Sequence, residues 1–163
     1  MADLRYQVSH LPADADRAIL SIGGNDALEH IGILEQRATR SAEVLARLAD
    51  MAEAFGRRYR QVLATLRPHV GRLVVCTIYE PPLTAPATAR LVRVPLTLLN
   101  DQIIRESSRL RLDLLDLRTV CTAASDFVRE IEPSPAGARK IASAIEAVVR
   151  EEGPVPPIRL FAG

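Results

Sequence analysis

The chain has 163 residues, of which 48% are hydrophobic and 25% charged, and its 21 basic and 20 acidic side chains give a formal net charge of +1. This composition is typical of a folded globular domain and excludes an intrinsically disordered chain. Because the arginines are spread along predicted helices and form no basic block, nucleic acid is not expected as a partner. We therefore expect a single domain over residues 1–163.

Cysteine content and hydropathy indicate the compartment. The two cysteines, Cys76 and Cys121, are too few for a disulfide framework, so we expect both to be reduced core residues. No stretch approaches the length of a membrane span, and the first residues lack the pattern of a secretory signal. The sequence therefore predicts no membrane span and a cytoplasmic location.

The first half of the chain predicts two helices around one strand. Apolar residues at helical spacing place a short helix before Pro12, and residues 17–22 form an apolar run typical of a buried strand. A loop is predicted over residues 27–39. An apolar stripe at three- and four-residue steps then predicts a long amphipathic helix over residues 41–66.

The second half continues the alternation of strand and helix. Residues 72–79 form a continuous apolar strand of the kind found inside parallel sheets. Residues 87–110 have helical periodicity, and Pro95 is expected to kink this helix or to split off its first turns. A short third strand over residues 112–117 leads through a charged loop to a helix that begins at Pro135.

The alternating order of helices and strands predicts right-handed crossovers and a parallel sheet with helices on both faces, which is a three-layer α/β architecture. Three strands make a thin sheet whose apolar edges would be exposed. The prolines after residue 150 predict an extended tail over residues 151–163. We therefore expect a homo-oligomer that forms through an exposed sheet edge.

The first predicted strand ends in two glycines followed by an amide and a carboxylate, at Gly23, Gly24, Asn25 and Asp26. An amide that a tight turn places at a strand end can donate a hydrogen bond to a developing oxyanion, with the glycines and Asp26 supporting the turn. A second interpretation is that Asn25 and Asp26 only cap the turn and hold the loop. The spacing G-x-G-x-x-G is absent and no Lys-Ser/Thr pair follows, so a phosphate- or nucleotide-binding site is not favoured.

The charged loop over residues 126–137 is a second candidate, because it follows the last predicted strand and leads into the last helix. Its Glu132 could accept a proton or pair with an arginine, although a solvated loop explains the same residues. His30 has no carboxylate or cysteine neighbours at metal-ligand spacing. The sequence therefore predicts no metal and no cofactor.

The G-G-N-D turn at residues 23–26 and the P-S-P-A-G sequence at residues 133–137 together resemble the SGNH hydrolase family, also called the GDSL esterases and lipases. The resemblance implies a flavodoxin-like three-layer α/β/α fold and gives Asn25 the position of the oxyanion-hole asparagine. Where the family has D-x-x-H-P, this chain places Arg129 at the aspartate and Glu132 at the catalytic histidine.

Only 22 residues precede Gly23, and they contain neither the G-D-S block of the family's nucleophile nor the glycine block that follows it. The resemblance thus implies a fold that lacks the family's first strands. Family members hydrolyse carboxylic esters of lipids, small acyl groups and carbohydrates through a serine acyl-enzyme, without a metal. We expect this chain to act very weakly or not at all on a small ester substrate. The alternative is a non-catalytic α/β module that self-associates or binds a ligand.

Overall fold

The structure, a computed structural model, describes residues 4–150 and 160–162. Strands and helices alternate along the chain, as the sequence predicts. The strands are β1 (Arg17–Leu20), β2 (Arg72–Cys76), β3 (Asp113–Asp116), β4 (Phe127–Val128), β5 (Glu132–Pro133) and β6 (Leu160–Ala162). The helices are α1 (Leu4–Ser9), α2 (Gly24–Glu29), α3 (Ser41–Leu66), α4 (Pro86–Leu110) and α5 (Pro135–Arg150), and short 3-10 helices cover Ile31–Glu35, Arg67–His69 and Ala124–Asp126.

One parallel sheet contains the strands in the order β1-β2-β3-β6. Leu20 lies beside Val75, and Cys76 lies beside Leu115. The strands β4 and β5 pair separately as an antiparallel hairpin. The parallel order brings the carboxyl ends of β1, β2 and β3 to one edge, which is where α/β proteins bind ligands.

The side chains of β2 alternate between two cores. Leu73 and Val75 pack with residues of α3 and α4 on one face of the sheet, whereas Val74 and Cys76 pack with residues of α5 on the other. Both faces are buried because the crossover helices cover them. The predicted three-layer α/β architecture is therefore confirmed.

The prediction of a loop over residues 27–39 is wrong in its first part. Helix α2 continues to Glu29, and a 3-10 helix covers Ile31–Glu35. Helices of five or six residues contain too few apolar positions to show a helical period. The hydrophobic pattern of the sequence therefore does not distinguish them from a loop.

Beside the three predicted strands, β6 adds a fourth, parallel to β3, with Asp116 paired to Ala162. The predicted extended tail over residues 151–163 therefore includes a strand at Leu160–Ala162. The prediction for residues 151–159 and 163 falls outside the described residues. A strand of three residues behind a proline-rich segment is too short for apolar alternation to mark it.

Helix α4 is one continuous helix that includes Pro95, so its first turns are not split off. The turns after Pro95 bury Leu96, Leu99 and Ile103 in the core shared with α3, and this packing stabilises the helix.

In the part of the chain that the structure describes, no helix is long and apolar enough to span a bilayer.

Both cysteines are free and buried, as predicted. Burial raises the pKa of the Cys76 thiol to about 12. Burial also raises the pKa of Cys121, and the nearby Asp126 carboxylate adds to this effect. Both thiols are therefore protonated at neutral pH.

A buried carboxylate joins α3 to α4. Glu106 is 4% exposed and accepts hydrogen bonds from Arg60 Nε at 2.9 Å and Arg60 Nη2 at 2.6 Å. Arg109 Nη1 also donates to Glu106 Oε2, at 3.2 Å. The hydrogen bonds from Arg60 outweigh the cost of burial and, with the charge of Arg109, hold the pKa of Glu106 below its ordinary value of 4.5.

We expect Glu106→Gln to lower the free energy of unfolding at neutral pH by about 1.5–3 kcal/mol, the range for hydrogen bonds to charged groups. Because the pKa is lower in the folded protein, this stabilisation is complete above pH 4.5 and is lost as the pH falls through the folded-state pKa. Urea unfolding of the unchanged protein and of Glu106→Gln over this pH range would measure how the difference between their free energies of unfolding narrows as the pH falls. Glu53→Gln, which removes an exposed pair with Arg57 on α3, is the control and should cost less than about 0.5 kcal/mol. A difference that does not narrow in acid would contradict the role of Glu106.

Candidate active site at the carboxyl ends of the strands

Gly23 makes the sharp turn from β1 into α2. Its φ of +112° lies in the left-handed region, and a Cβ there would be 3.0 Å from Ile78 Cδ1 and 3.1 Å from Phe55 Cζ. Backbone conformation and packing therefore both require glycine. The first hydrogen bond of α2, from Ala27 N to Gly23 O at 2.9 Å, follows directly. Asn25 thus lies in the first turn of α2, at the carboxyl end of β1.

The three residues after Gly23 lie in α2 and not in an open turn. Gly24 and Asn25 are exposed, whereas Asp26 is buried. Asp26 Oδ1 accepts a hydrogen bond from Arg58 Nη2 of α3 at 3.4 Å. Asp26 therefore holds α2 against α3, while the neighbouring Asn25 side chain remains accessible to solvent.

The chain after β2 is held against α4. Asn100 is fully buried and bonds both backbone groups of Ile78: Ile78 N donates to Asn100 Oδ1 at 2.8 Å, and Asn100 Nδ2 donates to Ile78 O at 2.9 Å. Farther along, Glu80 Oε2 lies 3.1 Å from Arg93 Nε of α4. Backbone groups that leave the sheet thus find buried partners on the neighbouring helix.

A buried polar network joins the carboxyl ends of β2 and β3. Thr77 Oγ1 donates to Asp116 Oδ1 at 2.8 Å and accepts from Leu117 N at 3.0 Å. Arg118 donates to both oxygens of Asp116, at 2.7 and 2.6 Å. Burial acts to raise the pKa of Asp116, but the hydrogen bonds from Arg118 and Thr77 outweigh it and hold the pKa below its ordinary value of 3.8. Asp116 is therefore ionised at neutral pH and fixes the ends of both strands.

The hairpin of β4 and β5 carries Glu132. Its connecting turn contains two residues with left-handed backbone, Arg129 at φ 49° and Glu130 at φ 67°. Thr84 Oγ1, in the segment after β2, donates to Glu130 Oε1 at 2.5 Å and joins that segment to the hairpin. Glu132 is exposed, and its Oε2 lies 3.8 Å from Arg129 Nη1. Arg129 and Glu132, which the resemblance relates to a catalytic aspartate and histidine, therefore form a loose ion pair.

The hairpin is anchored to the start of α5. Ser134 Oγ accepts a hydrogen bond from Gly137 N at 3.1 Å and donates to Ser125 O at 2.7 Å, so Ser134 caps the helix. The buried Asp126 accepts from Lys140 Nζ of α5 at 2.8 Å. A Cβ on Gly137 would lie 2.1 Å from Asp126 O, so only glycine permits this approach. These contacts fix the segment that presents Glu132.

A cavity of about 560 Å³ lies at the carboxyl ends of β1 and β2, within the range of roughly 300–1,000 Å³ for small-molecule sites. Asn25 and Glu132, predicted from opposite ends of the chain, both line it, as do Gly23, Gly24 and Asp26. Its wall is mainly apolar. The apolar side chains are Ile22, Ala27, Leu28, Ile78, Pro81, Leu83, Val92, Pro95, Leu96 and Ile131.

Polar side chains that the sequence analysis missed also line the cavity: Gln7, Ser21 and Thr77. Ser21 and Thr77 directly follow β1 and β2, and this position at a strand end is the signal that could have identified them. Gln7 lies on α1, which no sequence pattern connects to the site. Within the described residues, no group of three or more His, Cys, Asp or Glu side chains is placed to bind a metal ion. The cavity therefore offers amides, a carboxylate and hydroxyl groups beside an apolar wall.

Alanine substitutions at the two adjacent glycines should have different effects on stability. We expect Gly23→Ala to lower the free energy of unfolding by roughly 2–4 kcal/mol, because it combines left-handed backbone with contacts to Ile78 and Phe55. Gly24→Ala should leave stability unchanged or raise it by up to about 1 kcal/mol, since nothing lies within 4 Å of the new Cβ. Urea unfolding of the two variants measures both effects. Equal losses of stability in the two variants would show that the position of Gly23 does not require glycine.

The sequence matches no protein-family model and no curated protein. Among solved structures, the chain is similar to an extracellular lipase from Streptomyces rimosus, with 16% sequence identity and a TM-score of 0.54. The alignment covers 81% of this chain and 62% of the lipase, so the chain spans less than two thirds of the lipase's length. At this identity the likeness concerns the fold alone. The chain therefore has the layered α/β fold with a parallel sheet that is also found in this lipase.

Proposed function

We propose that the chain is an SGNH hydrolase-like domain that binds a small ester or acyl ligand in its cavity, and that its ester hydrolysis as this chain is very weak or absent. One observation carries the proposal: Asn25 and Glu132 line a single cavity at the carboxyl ends of parallel strands. The resemblance to the SGNH hydrolases relates Asn25 and Glu132 to one active site through two separate motifs. The fold shared with a lipase supports the proposal.

In this proposal Asn25 keeps the role of an oxyanion donor. Its amide lies in the first turn of α2 and lines the cavity. The turn at Gly23 and the ion pair of Asp26 with Arg58 fix the backbone on both sides of it. An amide at such a position can donate a hydrogen bond to negative charge that develops on a carbonyl oxygen, which is what an oxyanion hole requires.

The catalytic groups that would act together with an oxyanion donor are incomplete among these residues. No G-D-S sequence occurs in the 163 residues, and no described histidine lines the cavity. Glu132 stands at the position of the base, but a carboxylate is a weaker base than an imidazole and activates a hydroxyl poorly. Thr77 already donates its hydroxyl to Asp116, so Ser21 provides the hydroxyl to test.

We expect a fluorophosphonate probe to label far less than one serine per molecule, because no histidine lines the cavity among the described residues to activate its hydroxyl groups. Mass spectrometry of the intact protein measures the labelling, and Ser21→Ala identifies any label on that hydroxyl. Hydrolysis of an activated octanoyl ester should stay near the buffer rate. Stoichiometric labelling that Ser21→Ala abolishes would overturn the proposal of a site without an active nucleophile.

A second candidate function is a module that self-associates through the edge of its sheet. The observation that favours it is the position of β1, which pairs with β2 on one side and has no partner strand among the described residues on the other. Unpaired edges of this kind recruit strands from other chains. Light scattering over a micromolar concentration series should then detect a dimer or larger species. A monomer at every concentration would contradict this candidate and leave the ligand-binding proposal intact.

A further inference from the structure

The charged side chains that line the cavity are acidic. Among the described lining residues these are Asp26 and Glu132, and no lysine, arginine or histidine is found with them. Asp26 is buried and already paired with Arg58. The carboxylate that a ligand would meet is therefore that of Glu132.

The existing partner of Glu132 holds it weakly. The side chains of Arg129 and Glu132 are 84% and 57% exposed, and their charged atoms are 3.8 Å apart. Exposed ion pairs of this kind contribute little to stability, so a ligand cation can replace the arginine at little cost. Arg129 itself is not among the described residues that line the cavity.

An aromatic ring lines the same cavity as this carboxylate. Tyr79 lines the cavity and is half-buried, with its ring centroid 5.5 Å from that of Phe127. Phe127 lies on β4, and the neighbouring strand β5 carries Glu132, so the ring and the carboxylate both belong to the part of the cavity at this hairpin. An aromatic face attracts alkylated ammonium groups, and a carboxylate in the same cavity adds its negative charge to that attraction.

The rest of the wall suits an aliphatic chain. Ile22, Leu83, Val92, Pro95, Leu96 and Ile131 line the cavity and come from four separate parts of the fold. The segment that carries Leu83 is fixed to the hairpin that carries Ile131 by the hydrogen bond from Thr84 to Glu130. The apolar wall and the acidic group are thus parts of one supported site.

We propose that the cavity selects ligands in which an ammonium group is attached to an apolar chain, with Glu132 and Tyr79 contacting the cation and the aliphatic wall contacting the chain. An acyl ester of an amino alcohol belongs to this class. The inference rests on the proposed function, since it takes the cavity to be the ligand site. Anionic amphiphiles are disfavoured, because their head group would face Glu132 without a lysine or arginine among the described lining residues.

The test compares octyltrimethylammonium, octanol and octyl sulfate, which share one chain and differ in head-group charge. Calorimetric titration of the intact protein below the micelle concentration should give the tightest binding for the ammonium and the weakest for the sulfate. Glu132→Gln should weaken the ammonium by about three- to tenfold and leave octanol unchanged. Glu146→Gln is the matched control, because it removes the same charge from an equally exposed ion pair, with Arg150 of α5, at a position that does not line the cavity.

A second pair of variants separates this inference from the proposed function. Val92→Trp should fill the cavity and weaken all three ligands, whereas Leu91→Trp should not, since Leu91 is 55% exposed and does not line it. If all three ligands bind, depend on Val92 and show no preference for the ammonium, the inference about charge is overturned and the cavity remains the ligand site. If none binds, both the inference and the proposed ligand site are overturned.

Discussion

The backbone that leaves β2 must satisfy its buried N–H and C=O groups where the neighbouring strand no longer reaches them. Asn100 meets this requirement, because one side-chain amide bonds both backbone groups of Ile78 and takes the place of a strand partner. The segment after the strand therefore runs along α4 instead of returning to the sheet. Ile78 lines the cavity, so one buried amide of a neighbouring helix positions part of the cavity wall.

The larger elements could be predicted because their sequences repeat a signal many times. Helix α3 has an apolar stripe along its whole length, and β2 is a continuous apolar run, so the three layers follow from the chain order. The elements that escaped prediction are short and depend on distant contacts. Helix α2 begins only because Gly23 adopts a left-handed conformation, and β6 needs β3 beside it. The turn of the hairpin places Arg129 in left-handed backbone, where sequence rules expect glycine or asparagine.

Single residues of the candidate site could be predicted from the sequence, but the residues that surround them could not. Asn25 follows a recognisable turn and Glu132 precedes a recognisable helix start, and both line the cavity. Nothing in the local sequence indicates that Gln7 of α1 joins them, or that the hydroxyl of Thr77 is occupied by Asp116. These are consequences of which elements pack together. In the resemblance to the SGNH hydrolases, moreover, Glu132 takes the position of a histidine, so a negatively charged carboxylate replaces a ring that is neutral before it accepts a proton.

The burial of the thiols has a practical consequence for work on this molecule. Cys76 and Cys121 are each 1% exposed, and their raised pKa values keep them in the unreactive thiol form. To maleimides and other thiolate-selective reagents in solution, the native chain should therefore behave as though it contained no cysteine. A single cysteine placed at the mouth of the cavity would carry a fluorophore or spin label at one defined position, without first removing the two that belong to the core.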